Sequence, residues 1–482
     1  MGFIIYDTRE RRKVPFEPLE PGVVRFYTCG PTVYAPAHIG NFRTYMFEDL
    51  LRRTLKYLGY RVVQVMNITD VDDKTIAEAN ARKVSLREVT APVIERFMAD
   101  LKTLNIEPAE HYPRATEHIP EMIELVRTLL DKKFAYIADG SVYFRVASFP
   151  EYGGLSGMEL NRLRCGVRVD ADEYEKDDVR DFALWKGWTE EDGEVAWDAP
   201  FGRGRPGWHI ECSAMSMKYL GTEFDIHTGG VDNIFPHHEN EIAQSVAATG
   251  KGFARHWMHS AHLIVEGEKM AKSLGNFYCL KDLLDKGYSA RAIRYVLLTT
   301  HYRQRLNFTA ELVSAALSSL LRLDTLRNAV EAALANGYPG GVRAELREAV
   351  HRARDDFRTA LEDDLNISRA LAALFGLVSA VHTAAGKDRL NREEAEYLRA
   401  FWHGADEVLG FLFPVQVRFP AEVVELARER LRARRAKDYA HADEMRDRLI
   451  ERGYKVEDLP DGTSAITGLE GRRIVSEDGR NS

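Results

Sequence analysis

The sequence predicts an α/β protein: a Rossmann-like domain built on a parallel sheet, interrupted by an α+β insertion and followed by helical carboxyl-terminal domains. Three observations predict it. A strand, a turn, a helix and a second strand succeed one another between Val23 and Met66. Short strand-like pieces and an acidic stretch break that pattern between about 125 and 205. Beyond about 305 the apolar period becomes helical and stays so almost to the end.

Val23 to Tyr27 is an apolar, β-branched strand, and Gly30-Pro31 turns the chain after it. From His38 the apolar residues Phe42, Tyr45, Met46, Leu50 and Leu55 recur at three- and four-residue steps, the period of a helix. Tyr60 to Met66 is a second strand with Val62, Val63 and Val65. Strand, helix and strand at this length form a βαβ unit, so the two strands are expected to be parallel with a right-handed crossover. The piece Ser141-Val142-Tyr143-Phe144, the Gly153-Gly154 turn and the acidic stretch from Asp170 to Asp181 belong to the insertion. Phe224-Asp225-Ile226-His227 resumes a strand that ends in Gly229-Gly230. Helix follows from Thr309 to Ala335, then a linker at Gly337 to Gly341, then helix from Val342 to about Leu412. Pro414 and Pro420 bracket another joint, after which Arg428, Arg430, Arg432, Arg434, Arg435 and Lys437 mark a basic helical segment. The tail after Gly462 is polar and expected to be loosely held. The expected divisions are therefore 1–125 and 206–250 for the two halves of the sheet domain and 126–205 for the insertion. A junction at 251–308, a helical bundle at 309–412 and a carboxyl-terminal region at 413–482 complete the chain.

The 482 residues suffice for several domains, and the balance of 45% hydrophobic and 29% charged residues is that of a soluble globular protein. No run of about eighteen apolar residues exists, so no membrane span is expected. The amino terminus meets charges at once and lacks a signal-peptide core, and Tyr6 stands where a myristoylation signal after Gly2 would want Ser or Thr. The cysteines Cys29, Cys165, Cys212 and Cys279 are too few for a disulfide scaffold, so a reducing, cytoplasmic setting with thiols free for metal or catalysis is expected. A net charge of −8 argues against indiscriminate coating of nucleic acid but permits a local basic surface.

Two segments suit phosphate chemistry. His38-Ile39-Gly40-Asn41 opens a helix, where free backbone N–H groups and the positive dipole end can cradle a phosphate, and His38 and Asn41 stand three apart. Lys269-Met270-Ala271-Lys272-Ser273 sets two lysines three apart in a loop between Gly267 and Gly275, able to clamp a triphosphate whose charge grows during reaction. Each alone is more simply a capped helix or a solvated loop; in this order they are far more specific. Cys29, Cys212, His237 and Glu241 make a plausible tetrahedral set, His237 and Glu241 being four apart on one helical face. Spacing alone leaves two buried cysteines and a polar helix equally admissible, and His238 competes with His237. Gly202-Arg203-Gly204-Arg205-Pro206-Gly207 matches the dinucleotide fingerprint by letter, but no clear strand precedes it and Pro206 lies inside it, so it is read as a loop.

Together these segments resemble the class I aminoacyl-tRNA synthetases, with His38–Asn41 similar to their "HIGH" motif and Lys269–Ser273 to their "KMSKS" loop. The cysteinyl-tRNA synthetase family in particular is resembled by Cys29-Gly30-Pro31-Thr32-Val33-Tyr34, by Asn67-Ile68-Thr69-Asp70-Val71-Asp72-Asp73-Lys74, by Gly204 to Cys212 and by Phe235 to Glu241. The likeness is dense from about 23 to 308 and continues in Asp363-Asp364-Leu365-Asn366 and in Lys437 to Asp443. It implies that Cys29, Cys212, His237 and Glu241 hold one zinc ion that receives the thiolate of L-cysteine, with Thr69, Trp208 and His227 lining that pocket. It implies ATP bound by His38, Asn41, Gly229, Gly230, Asp232, Lys269 and Lys272, with magnesium, and catalysis by His38, Asn41, Lys269 and Lys272. The implied reaction makes cysteinyl-adenylate and passes cysteine to the terminal adenosine of tRNA(Cys). Arg428, Arg432 and Asp443 are the candidate tRNA contacts, and the family suggests a monomer. Protein synthesis needs discrimination of about 10⁴–10⁵, or roughly 5.5–7 kcal/mol, which a metal–sulfur bond supplies and a methylene-sized pocket does not.

Three departures stand out: Ala271 for the first serine of the loop, Thr228 for a glycine before Gly229-Gly230, and Ala465 for a tryptophan. Both lysines remain, so activity is expected. The alternative reading uses the same activation chemistry on a different acceptor, a ligase joining cysteine to an amino sugar in thiol-cofactor biosynthesis. The long helical carboxyl-terminal part argues against it, since a small acceptor needs no anticodon reader. For the basic segment itself, a solvated helical face with i,i+4 ion pairs is the competing reading.

Overall fold

The computed structural model describes residues 2–158, 180–271, 274–385, 389–413, 420–458, 464–468 and 471–475. Cys165, most of the acidic stretch and Lys272 lie outside the described residues.

The amino-terminal hairpin of β1 (Ile4–Asp7) and β2 (Arg12–Pro15) leads into β3 (Val23–Thr28). α1 (Ile39–Tyr57) then crosses to β4 (Arg61–Met66), which pairs parallel with β3 from Val23↔Arg61 to Thr28↔Met66. Parallel neighbours need such a crossover. α2 (Asp73–Arg82) and α3 (Leu86–Thr103) each start at a capping box, led by Asp72 and Ser85.

α4 (Ile119–Asp131) introduces the insertion, whose β5 (Ala135–Ala138), β6 (Ser141–Phe144), β7 (Phe182–Gly187) and β8 (Gly204–Pro206) form a four-stranded antiparallel sheet in chain order. β8 corrects the loop expected at Gly202–Gly207. Gly204 within it and Gly207 just after it lie against carbonyls of the neighbouring strand, on Lys186 and Ala183, where a Cβ would collide. At a sheet edge Pro206 loses no ladder bond. The glycines of the false fingerprint therefore serve close strand packing.

α5 (Trp208–Leu220) returns the chain to the main sheet through β9 (Phe224–Gly230), α6 (Glu239–Thr249) and β10 (Ala254–Ser260). The strand order is β10-β9-β3-β4, all parallel. Winding reverses between β3 and β9, and the crevice at such a reversal is where this architecture places ligands.

β11 (Leu263–Val265) and β12 (Leu306–Phe308) pair in parallel around α7 (Leu280–Asp285) and α8 (Ala290–Thr299). α9 (Ala310–Asn336), α10 (Ala344–Glu362), α11 (Ile367–Ala385) and α12 (Arg392–Leu409) make the helical part. By length and composition α11 could cross a membrane, but Ile367, Ala370, Leu371, Leu374, Leu377, Val378 and Val381 bury one face of it in the common core. That is the pattern of a core helix.

The carboxyl-terminal region pairs α13 (Ala421–Arg435) with α14 (Tyr439–Glu451) and adds an antiparallel sheet of β13 (Lys455–Asp458), β14 (Ser464–Gly468) and β15 (Gly471–Val475). This corrects the loosely held tail. Ile466 is fully buried with Val423, Val424, Met445 and Leu449, and the buried Arg430 reaches Asp458 at 2.7 Å and Ser464 at 3.2 Å. A tail with so few apolar residues carries no visible strand period, and its order comes from the helices beneath.

Buried charge ties α1 to the helical part. Asp49 is fully enclosed and accepts from Arg294 Nη2 at 2.6 Å, Arg53 Nε at 2.8 Å and the Glu107 N–H at 2.9 Å. Arg294 also donates to the carbonyls of Leu104, Asn105 and Leu409. Arg43 of α1 caps the end of α8 through the carbonyls of Leu297, Thr300 and His301, and burial lowers its pKa to about 10. The Asp363–Asn366 segment is a second tie: the Asp364 carboxylate takes the Tyr6 N–H at 2.8 Å, the Tyr302 hydroxyl at 2.6 Å and Arg303 Nε at 2.8 Å.

Asp49→Ala leaves two guanidiniums buried without their anion, and is expected to cost about 3–5 kcal/mol in urea denaturation at pH 7. Burial opposes ionisation of Asp49, but the two arginines prevail and hold its pKa below the ordinary value. Its contribution is thus present above about pH 4 and lost as pH falls through the lower folded-state value, so wild type and variant should converge in acid.

Candidate active site

The crevice between β3 and β9 gathers side chains from four elements. Cys29 follows β3, where its N–H reaches the Thr228 carbonyl at 3.4 Å. Cys212 stands on α5, His237 in the wide turn Ile234–His238 and Glu241 in the first turn of α6. One donor atom from each of Cys29, Cys212, His237 and Glu241 lies within 4.8 Å of all the others. His237 precedes α6 rather than lying on it, yet its Nε2 is 3.1 Å from Glu241 Oε1. A second set, Cys29, His227, His238 and Glu241, meets the same 4.8 Å criterion.

Charge is strongly perturbed here. Burial opposes ionisation of Glu241, but His227 and His237 bring its pKa down to about 2. Burial likewise resists charge on His237, and Glu241 with Cys212 raise it to about 10. Burial would raise Cys212, yet the Cys29 thiol and His237 bring it to about 6. Burial, then Cys212 and Glu241, keep Cys29 a thiol. His237 thus faces the Glu241 carboxylate and the Cys212 sulfur, the two partners that favour its charged form. Two sulfurs, an imidazole and a carboxylate at this separation fit a borderline-soft divalent cation.

The remaining predicted residues surround this centre. His227 lies level with Tyr27 in the parallel register, stacks on Trp257 at 4.6 Å and meets Glu241 Oε2 through Nε2 at 2.9 Å. Trp208 is 46% exposed and stacks on His237 at 4.2 Å, so an indole face walls the open side. Thr69 is buried and donates to Glu211 at 2.9 Å. Gly30 touches the Asn67 carbonyl where a Cβ would collide, and its N–H donates to Asn67 Oδ1 at 2.9 Å, which interlocks two of the signature segments.

His38 and Asn41 form a capping box: the Asn41 N–H donates to His38 Nδ1 at 3.2 Å and the His38 N–H to Asn41 Oδ1 at 3.0 Å. Their mutual bonds fix both side chains at the positive end of α1, and burial lowers the His38 pKa, which keeps that ring neutral. The lysine loop reaches them. The Ile39 N–H donates to the Tyr278 carbonyl at 2.9 Å, and a Cβ on Gly40 would lie 2.7 Å from Met270 Cε. Asn276 closes the loop by accepting from the Ala271 N–H at 2.8 Å and donating to the Lys269 carbonyl at 3.2 Å. At position 271 the backbone is thus what the loop uses, and Lys269 is exposed. Gly229 and Gly230 end β9, and Asp232 is exposed just beyond.

Thr228 does not narrow the crevice. Its hydroxyl points into the core and donates to Glu48 Oε1 at 2.9 Å. Glu48 is fully buried, its Oε2 has no partner, and burial raises its pKa far above the carboxylate range. At the far end of the chain Arg428 and Arg432 both pair with Glu425, and Asp443 pairs with Arg446 at 3.0 Å. Arg430 faces inward, so the basic segment is in part a set of ion pairs. Sequence reasoning left His209, His259, Thr8 and Glu48 unassigned. His209 Nδ1 is 2.9 Å from His237 Nδ1, and its place in Trp208–Cys212 was the one available signal.

Comparison with known proteins agrees over nearly the whole chain. The family model for the tRNA synthetases class I (C) catalytic domain matches residues 15–318, the DALR domain 356–413, and the cysteinyl-tRNA ligase anticodon binding domain 417–463. The cysteine–tRNA ligase of Protochlamydia amoebophila is 49% identical over 465 residues, covering 95% of this chain and 96% of that one. That of Chlamydia muridarum is 48% identical over 485 residues, covering 98% and 100%. Among solved structures, a Mycobacterium tuberculosis methionyl-tRNA synthetase in complex with methionyl-adenylate has a TM-score of 0.58 at 15% identity, covering 81% of this chain and 90% of that one, which bears on the fold alone. The fold and the matched catalytic domain define a class I aminoacyl-tRNA synthetase. Within that class, the chain belongs to the cysteinyl-tRNA synthetase family.

Glu48 binds a proton in the folded state that the unfolded chain releases above about pH 4.3, so stability falls as pH rises past that point. Glu48→Gln keeps the shape and the acceptor for Thr228 without a titrating group. It is expected to raise the melting temperature at pH 7.5 and to leave it unchanged near pH 4, read by scanning calorimetry.

Proposed function

We propose that this protein activates L-cysteine with ATP to give cysteinyl-adenylate and then transfers cysteine to the 3′-terminal adenosine of tRNA(Cys). The single observation that carries this reading is the gathering of two thiols, an imidazole and a carboxylate within 4.8 Å of one another, in a chain whose Gly40 at the start of α1 lies against Met270 of the lysine loop. The region matching an anticodon binding domain supports a tRNA acceptor over an amino sugar. In this reading residues 1–125 and 206–250 form the catalytic domain, 126–205 its insertion and 251–308 the loop-bearing junction. The helical bundle is 309–412, and 413–482 is the anticodon-binding region. The working form is a cytoplasmic monomer.

Cys29, Cys212, His237 and Glu241 hold one zinc ion in this proposal. Bound there, zinc supplies a Lewis acid that lowers the pKa of the substrate thiol and favours sulfur over a serine hydroxyl. His227 fixes the Glu241 carboxylate through its 2.9 Å contact, and His209 fixes the ring of His237. Trp208 excludes water from the open side, and Thr69 holds Glu211 beneath the pocket.

The cysteine carboxylate attacks the α-phosphorus of ATP, an O–P bond forms, and pyrophosphate departs. The ribose hydroxyl of the tRNA terminus then attacks the carbonyl carbon and AMP leaves. Neither step needs a side-chain nucleophile. His38 and Asn41, pinned by their capping box, present the neutral ring and the helix end to the phosphates. Lys269 and Lys272, with magnesium on ATP, meet the charge that builds on the departing pyrophosphate. Gly229, Gly230 and Asp232 receive the adenosine ribose.

The test is transfer of labelled cysteine, with ATP and magnesium, into acid-precipitable tRNA. Labelled RNA is expected. Pyrophosphate release with cysteine but no labelled RNA would instead favour the amino-sugar acceptor. Independently, Lys272→Ala should slow adenylate formation by at least about a hundredfold while one equivalent of zinc stays bound. Near-normal pyrophosphate exchange in that variant would remove the lysine from the mechanism.

A further inference from the structure

Thr8, His259 and His238 form a continuous hydrogen-bonded line that ends on Cys29. Thr8 Oγ1 is 2.7 Å from His259 Nδ1, His259 Nε2 is 2.8 Å from His238 Nδ1, and His238 Nε2 is 3.3 Å from Cys29 Sγ. Both rings are buried, and Thr8 sits partly buried in the turn after β1, held by its N–H to the Trp257 carbonyl at 2.8 Å. The seat of His238 is built for it: a Cβ on Gly229 would lie 2.8 Å from His238 Cε1, so only glycine admits the ring. The ring also packs against Trp257 at 5.1 Å and His227 at 4.3 Å.

Such a line has two self-consistent arrangements of hydrogens. In one, every hydrogen points outward, from the Cys29 thiol to Thr8. In the other, every hydrogen points inward: the Thr8 hydroxyl donates to His259 Nδ1, His259 Nε2–H to His238 Nδ1, and His238 Nε2–H to the Cys29 sulfur. Only the inward arrangement suits a Cys29 that has lost its proton to become a metal ligand.

We propose that Thr8 and His259 are positioning residues that hold His238 in the tautomer protonated on Nε2, so that His238 donates to the Cys29 sulfur and is kept out of the coordination sphere. This rests on the reading of Cys29, Cys212, His237 and Glu241 as the metal ligands. It explains why two overlapping donor sets exist in one crevice and which is used. A ring carrying hydrogen on Nε2 offers no lone pair there, and its other nitrogen is taken by His259, so Cys29, Cys212, His237 and Glu241 remain as donors. The N–H to sulfur bond also draws electron density from the thiolate, which tunes the Lewis acidity felt by the substrate thiol.

The experiment uses the full-length protein loaded with zinc or with cobalt(II), and compares His259→Leu, His259→Gln and Thr8→Val with wild type. The readouts are the sulfur-to-cobalt charge-transfer band and the competition for zinc with a chromogenic chelator. His259→Leu should shift the band and weaken zinc retention by about 10–100-fold. Thr8→Val should move both in the same direction by less. His259→Gln, whose amide N–H can still be offered to His238 Nδ1, should restore both toward wild type. A folded His259→Leu protein with the wild-type band and wild-type zinc retention would overturn the proposal. Should that variant fail to fold, Thr8→Val at the partly exposed end decides by the same two readouts. A wild-type protein that takes up neither zinc nor cobalt would overturn the metal assignment itself, which is a separate and distinguishable failure.

Discussion

The buried carboxylate of Asp49 holds the architecture around the crevice in register. Placing one anion out of water is costly, and this one is offset by two guanidiniums and a backbone N–H at hydrogen-bond distance. The donors that Arg294 and Arg53 do not spend on Asp49 go to carbonyls at residues 104, 105, 407 and 409. One buried cluster therefore joins α1, the loop after α3, α8 and the end of α12. Because His38 and Asn41 cap the start of α1, and the lysine loop precedes α7 and α8, the same cluster ties the start of α1 to the segment that follows that loop. Arg43, bonded to carbonyls at and just beyond the end of α8, repeats the tie six residues nearer the start of α1.

The crevice floor follows a different logic. Five histidines, at 209, 227, 237, 238 and 259, crowd together at the crevice floor, and burial is the largest influence opposing charge on each whose pKa is shifted. Of these shifted rings His237 is the one raised, because it meets both Glu241 and Cys212. His209, His238 and His259 are pushed toward the neutral ring, chiefly by burial. In the proposed reading such partners, one step removed, would orient the donors around the metal.

Much was legible from the chain order. The β-branched runs and the helical period between them could only pack as parallel strands with a crossover, and Val23–Thr28 with Arg61–Met66 do so. The segments around Cys29, Cys212 and His237 were recognisable because each carries an uncommon string of residues, and the fold brings them into one crevice. What escaped notice had no local signature. Thr8 and His259 are two hundred and fifty-one positions apart and meet only because the amino-terminal hairpin lies against β10. The carboxyl-terminal sheet hid in a polar tail, since Ile466 gains its burial from α13 and α14 rather than from its own neighbours. The glycines at 204 and 207 read in the sequence as part of a loop, and only strand pairing reveals what they admit.

By itself the sequence determined the class of fold, the family and the kinds of side chain available to the crevice, because periodicity and short motifs are local properties of a chain. It left open which histidine faces Glu241, which sulfur partner His238 takes, and whether Thr228 fills the crevice or turns away from it. Those answers depend on contacts between elements far apart in sequence. Thr228 bonds to Glu48 because β9 lies beside α1, and His238 reaches Cys29 because Gly229 leaves room for its ring. Only the tertiary structure decided them, since a hydrogen bond's direction is set by where its partner stands in space.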